Sequence, residues 1–198
     1  DATVDAMSYY LQYRGYFNEE VFATPDNRGK KIYMTYHATP GPQFTIDTVS
    51  YYSSDSTINQ ILQDISGRSL LKRGAGVEGE LYKREQDRIT SYLRNHGYAY
   101  FYNNFISPLE ADTTVGSKKA ALYFEVIPPY DDSIHQSYRV GEVSVYMDYL
   151  PGQEECCMLD TIINGITINS PKENFQIEPG TIYDAIYLHQ DSIFSQED

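Results

Sequence analysis

The sequence has no tryptophan, only two cysteines, and no apolar run that approaches the ~20 residues of a membrane-spanning helix. Nor does it contain the basic-then-apolar stretch of a signal peptide. Basic residues are scarce: 15 Lys and Arg stand against 28 Asp and Glu, a formal net charge of −13. A surface this acidic argues against a nucleic acid held by its phosphates and against electrostatic docking to anionic lipid. The one local basic cluster, Lys72–Gly76, reads as a solvated loop. The cysteines are neighbours, Cys156 and Cys157. Adjacent strand residues point to opposite faces and a vicinal disulfide needs a strained ring, so two free thiols are expected, with a ring or an intermolecular bridge as alternatives.

Signatures of catalysis are equally sparse. Gly74–Gly79 (GAGVEG) satisfies GxGxxG literally, but it joins two expected helices and lacks the preceding strand of a dinucleotide site. His37, His96, His135 and His189 fall on separate elements without HxxxH or HExxH spacing, so structural histidine is the simpler reading. No GxSxG occurs, and neither cysteine has a histidine nearby in sequence. The acidic pairs Glu19–Glu20, Asp131–Asp132 and Glu154–Glu155 lie at turns or linkers. The expectation is a chain that is no enzyme, with no catalytic residue, no metal ligand and no cofactor.

What the sequence does contain is a repeated corner. In Leu81–Ala99, Tyr82, Ile89, Tyr92 and Leu93 fall at helical spacing, Gly97 stands where a helix stops, and Tyr98, Tyr100 and Tyr102 alternate as in a strand. Near the N-terminus Tyr10, Leu11, Gly15 and Tyr16 repeat Tyr92, Leu93, Gly97 and Tyr98. Downstream, Met34, Tyr36 and Ala38 answer Leu122, Phe124 and Val126, while Phe44, Ile46, Val49 and Ser50 answer Tyr138, Val140, Val143 and Ser144. The spacing grows from 82 residues (Tyr10 to Tyr92) to 88 (Lys30 to Lys118) to 94 (Phe44 to Tyr138), so loops of unequal length separate equivalent elements. A unit this long is a small domain, larger than a solenoid repeat of ~20–50 residues.

Taken in order, periodicity predicts a helix over Asp1–Gly15 started near Thr3 or Asp5, a strand over Tyr16–Thr24, a turn at Pro25–Gly29 and a strand over Lys31–Thr39. That is half a domain. The next unit is complete: a strand over Gln43–Tyr52 with a bulge between Ile46 and Val49, a helix from Ser54 or Ser56 with Thr57 and Gln60 at capping-box spacing, Gly67 as its end, a helix over Tyr82–His96, and strands over Tyr98–Ser107 and Lys118–Ile127. Both helices are expected on one face of the three-stranded sheet. After a polar linker, Asp131–Gln136, another first strand runs over Tyr138–Tyr149, with the same bulge between Val140 and Val143. An insertion at about 151–178 reads as a small hairpin interrupted at Asn164–Gly165. Pro179 and Gly180 open a helix with Ile182, Ala185, Ile186 and Leu188, and Ile193–Ser195 resembles Leu81–Lys83. Because the chain opens mid-pattern at Asp1, it reads as a fragment of something longer.

A strand, two helices and a hairpin in tandem, the second helix ending in Gly-Tyr, resembles the polypeptide-transport-associated (POTRA) domain of the BamA/TamA outer-membrane assembly family. The likeness rests on Ser69–Gly74 (SLLKRG), Asp87–Tyr98 (DRITSYLRNHGY), Ala111–Thr114 (ADTT) and the proline-terminated strand; it is greatest to the TamA-like surface-antigen proteins of the Bacteroidetes group. The resemblance implies an α+β chain of tandem βααββ domains: residues 1–42 the C-terminal half of one, 43–130 a complete one, 131–198 the N-terminal half of a further one. It implies a place at the periplasmic face of the outer membrane, joined to a barrel of which no strand is present here. The implied partners are unfolded outer-membrane or exported proteins and periplasmic accessory proteins. Backbone pairing with a client on the edge strand would engage Tyr98, Tyr100, Tyr102, Asn104 and Ile106. The rival reading is a passive spacer between a barrel and an inner partner. The two end halves are complementary, so a half-domain swapped oligomer is a further expectation.

Overall fold

The structure is a computed structural model that describes residues 1–130, 133–147 and 158–197. Two compact units divide it, residues 1–90 with 102–135, and residues 91–101 with 136–198. In the first unit, helix α1 (Ala2–Tyr13) is capped by Asp1, whose carboxylate accepts from Thr3 N; the cap lies ahead of the Thr3 or Asp5 expected. Strands β1 (Glu20–Arg28) and β2 (Lys31–Thr39) then pair antiparallel through a tight turn at Gly29. The first of these was expected at Tyr16–Thr24, ending before Pro25. It starts later and runs through Pro25, because β1 is an edge strand and a missing N–H costs little there.

The complete βααββ order follows. Strand β3 (Thr45–Ser53) carries the expected bulge, a register shift between Ile46 and Thr48. Helix α2 (Ser56–Ser66) is capped by Asp55, which lies between the two serines expected and accepts from the amides of Thr57 and Ile58. Gly67 ends it. Helix α3 (Gly79–Arg94) begins three residues before Tyr82. Strands β4 (Glu110–Asp112) and β5 (Lys119–Val126) complete a sheet of order β3-β5-β4, with β5 parallel to β3 and antiparallel to β4. Ile46, Leu122, Phe124 and Val126 of the sheet, Ile58 and Leu62 of α2, and Ile89 of α3 are almost wholly buried, while Tyr52 and Tyr123 on the other face are exposed. The helices therefore cover one face, as expected.

Residues 98–107 depart from expectation: they form no strand. Short-range bonds run from Phe101 N to Tyr98 O, Phe105 N to Tyr102 O and Ile106 N to Asn103 O, with a 3-10 turn at Asn103–Phe105, and only the end of the stretch touches β5, through an isolated bridge at Ile106. The alternating tyrosines imitate a strand, but the buried residues are Tyr98, Phe101 and Ile106, which do not follow a period of two. The true partner of β5 lies further on, at β4.

In the second unit, β6 (Val143–Tyr146), β7 (Leu159–Ile163) and β8 (Ile166–Ser170) form a sheet of order β6-β8-β7. The expected hairpin is β7–β8, turned at Asn164 and Gly165, both with positive φ. It adds to β6 through β8, parallel. No register shift marks β6 at the position of the expected second bulge, since Val140 lies outside the strand. Helix α4 (Pro179–Tyr183) is shorter than expected; Ile182, Tyr183 and Ile186 pack with Phe175 against the buried Met147, Ile166 and Ile168. The polar linker's Asp131 and Asp132, Pro151–Glu155 and the cysteine pair lie outside the described residues.

The two predicted corners are built alike. Gly15 and Gly97 have φ of +79° and +100°, and the following tyrosine amide reaches back to Leu11 O (2.9 Å) or Leu93 O (3.1 Å), the closure of a left-handed helix C-terminus. Gly15 O then accepts from Phe44 N, Phe44 O from Val77 N, Ala75 O from Ile46 N, and Ile46 O from Gly74 N, at 2.8–2.9 Å. In the second unit Gly97 O accepts from Tyr138 N, Tyr138 O from Phe194 N, Ser192 O from Val140 N, and Val140 O from Asp191 N, at 2.8–3.1 Å. Thr45 bridges Gly76 as Arg139 bridges Ile193. We call this set a clasp: helix end, strand entry and link, joined by the same backbone bonds in both units. It also corrects one equivalence, because Ile193 and Phe194 answer Gly76 and Val77, not Leu81 and Tyr82. Backbone pairing sets that register, whereas the sequence match rested on apolar side chains.

Candidate protein-binding site

Of the five residues expected on a binding edge, Tyr98 and Ile106 are buried, at 5% and 4% exposure, and Ile106 makes one isolated bridge, to Val126. Tyr100, Tyr102 and Asn104 are exposed, but no strand joins them. The edge itself is β4, whose only strand partner among the described residues is β5. Ser107 N donates to Glu125 O and Ile127 N to Phe105 O, both 2.9 Å, so odd-numbered residues of β5 turn their backbone to the β4 side. Tyr123 and Ala121 of β5 thus exchange bonds with Glu110 and Asp112, and the backbone of Ala111, opposite Leu122, faces the open edge.

Beside that edge lies a groove of about 700 Å³, with Pro108, Leu109 and Ala111 on one wall. Tyr9, Tyr13 and Phe17 form the α1 side, and Tyr82, Lys83 and Gln86 the α3 side. Tyr82 is held firmly: its ring lies 5.1 Å from that of Phe124, its hydroxyl donates to Ser107 O at 3.0 Å, and burial pushes its pKa up to about 12. The wall is therefore an uncharged phenol throughout the physiological range. Tyr13 donates to Glu80 at 3.3 Å. A groove of aromatic rings with polar tips beside an unpaired strand suits an extended polypeptide: backbone bonds from the edge, side chains into the groove.

The most buried polar cluster stands apart from this groove. Glu85 is 0% exposed, and its Oε1 accepts from Tyr51 Oη (2.7 Å) and Arg88 Nη2 (2.8 Å), its Oε2 from Leu70 N and Arg88 Nε (both 2.9 Å). Burial alone would raise its pKa, but Arg88, the Leu70 amide and Tyr51 outweigh it and hold the carboxyl below the usual range. Burial pushes the Tyr51 phenol well up. Every acceptor of the carboxylate is satisfied, so the cluster ties α3 to β3 and to the start of the α2–α3 link and offers nothing to a ligand. Among the described residues no three His, Cys, Asp or Glu side chains converge on a metal position. Gly74–Gly79, the literal GxGxxG, is the link of the first clasp.

No family model matches the chain, and no curated protein matches it. Solved structures do. POTRA domains 3–5 of BamA from Haemophilus influenzae match with a TM-score of 0.46 and 11% identity, over 96% of this chain and 61% of that one. BamA from Haemophilus ducreyi lacking POTRA domains 1–3 matches with a TM-score of 0.39 and 13% identity, over 64% of this chain and 23% of that one. This chain thus spans under two thirds of either structure's length. No helix among the described residues is long and apolar enough to cross a membrane.

Proposed function

We propose that the chain is a non-catalytic protein-binding module of an outer-membrane protein assembly or translocation machine of the BamA/TamA kind, set at the periplasmic face of the outer membrane. Its clients are extended segments of unfolded outer-membrane or exported proteins, which add a strand to the free edge of β4. The observation that carries this reading is the conjunction of an unpaired edge with an aromatic groove along it. The sequence resemblance to POTRA domains supports the class. Because β4 has only three residues, the ladder is short and the groove supplies most of the selectivity.

The Ala111→Pro variant tests it. It removes the N–H on the open edge and spares the ladder bonds of Glu110 and Asp112. Titration with a labelled unfolded outer-membrane protein segment should show affinity falling roughly tenfold with an unchanged circular dichroism spectrum. Unchanged affinity in a folded variant removes β4 as the site. A second reading, a spacer that sets angles between partners, is favoured by the clasps, which close each corner through backbone bonds. Site-specific cross-links from Leu109 to client chains support binding; cross-links only to fixed accessory proteins support the spacer.

A further inference from the structure

β6 and β2 each keep one edge unpaired among the described residues, and the repeat identifies what each edge takes. On β3, Ile46 N bonds Ala75 O, Tyr51 O accepts from Gln63 Nε2 and Ser53 N donates to Asn59 Oδ1, so these residues face away from β5. Val145 and Met147 answer Tyr51 and Ser53, and they face β8: Met147 N donates to Asn169 O at 2.9 Å, and Val145 O accepts from Asn169 Nδ2 at 3.3 Å. The hairpin β7–β8 therefore sits on the outer edge of β6. The other edge, where Ser144 and Tyr146 present their backbone, is the one that on β3 holds β5.

β2 is the counterpart of β5. Leu122 and Phe124 turn their backbone to β3, so at the equivalent Met34 and Tyr36 the backbone faces an empty edge. Their side chains are 44% and 37% exposed, against 1% for both Leu122 and Phe124. Among the described residues β2 thus lacks a parallel neighbour of the β3 kind, and β6 lacks one of the β5 kind. We infer that these edges recognise each other between two copies of this chain: β2 of one copy pairs parallel with the inner edge of β6 of the next, and the face bearing Met34 and Tyr36 continues the face bearing Val143 and Val145. The contact is head-to-tail, so each copy offers a further edge to the next, giving rings where the rotation closes and open chains where it does not.

Sedimentation of the 198-residue chain should show mass rising with concentration toward the millimolar range. Tyr146→Pro removes an open-edge N–H of β6 and Met34→Pro one of β2, and each leaves the bonds to β8 or β1 in place. Each variant alone should be monomeric, and an equimolar mixture should give a heterodimer that stops at two, through the intact β2 of the first and the intact β6 of the second. The inference is overturned by a wild-type chain that stays monomeric, by self-association that survives both substitutions, or by a mixture of folded variants that does not dimerise.

Discussion

The two glycine corners do the same work with different neighbours. A Cβ on Gly15 would stand 2.2 Å from the carbonyl oxygen of Val77, a backbone atom that the clasp itself holds in place. A Cβ on Gly97 would stand 2.5 Å from Ser137 Oγ and 3.2 Å from Ile193 Cγ2, both side-chain atoms. An added Cβ therefore meets backbone that cannot yield at one corner and, at the other, side chains that can turn aside. Topology makes the corner; the residues around it decide how much error it tolerates.

The largest effect should come where the backbone is the obstacle. Gly15→Ala adds left-handed strain and a clash, and should cost about 3 kcal/mol in urea unfolding, with no rescue by a second substitution at Val77, because the obstructing atom is a carbonyl. A variant within 0.5 kcal/mol of wild type, roughly the surface norm, would mean the first clasp is looser than drawn. Gly97→Ala should cost about 2 kcal/mol, mainly from strain, and Ser137→Ala in the same chain should recover part of it. Equal losses at both corners, with no recovery, would erase the distinction.

The first corner is also supported by a buried carboxylate, whereas at the second the link is held by a guanidinium, Arg139 donating to Asp191 O at 2.7 Å. Glu85 holds Leu70 at the head of the link whose later residues close the clasp. Its pKa is depressed in the folded chain, so its contribution is complete above the ordinary carboxylate value of about 4.3 and is lost as pH falls through the lower folded value. Acid should thus loosen the first clasp before the second. Glu85→Gln should lower stability by about 3 kcal/mol near neutrality, since it leaves Arg88 without its partner, and should flatten the acid limb of a pH-stability profile. An unchanged acid limb would remove Glu85 as its source.

The smallest effect sharpens a second contrast. Leu122 and Met34 occupy equivalent positions, one buried and one open. Leu122→Ala should cost about 3 kcal/mol, and Met34→Ala under about 0.5 kcal/mol in dilute monomer. A large loss at Met34 would mean that β2 is covered in solution.

Much of this was legible in the residues. Gly15 and Gly97 announced their corners because positive φ selects glycine, and the slip between Ile46 and Val49 announced the bulge because burial follows the pleat. The edge strand was not legible. Tyr98, Tyr100 and Tyr102 alternate with smaller residues, and period two is the strand signal, yet Phe101 is the core residue and the alternation merely exposes its neighbours. β4 has three residues, Glu110–Asp112, two of them acidic, too short and too polar to show any period. The groove needed Tyr9, Tyr13 and Tyr82 brought together from separate helices, which only the fold does. The clasps are illegible for another reason: they are made of backbone, and GAGVEG and SIFS share no side chains that would mark them as the same link.

Amide hydrogen exchange read residue by residue tests the central claim, that one clasp is built twice. The amides of Phe44, Ile46, Gly74 and Val77, and those of Tyr138, Val140, Asp191 and Phe194, should all exchange far more slowly than those of exposed turns such as Gly29 and Lys30. If either set exchanges as fast as those turns while the sheet beside it stays protected, the corners are not equivalent and the account fails.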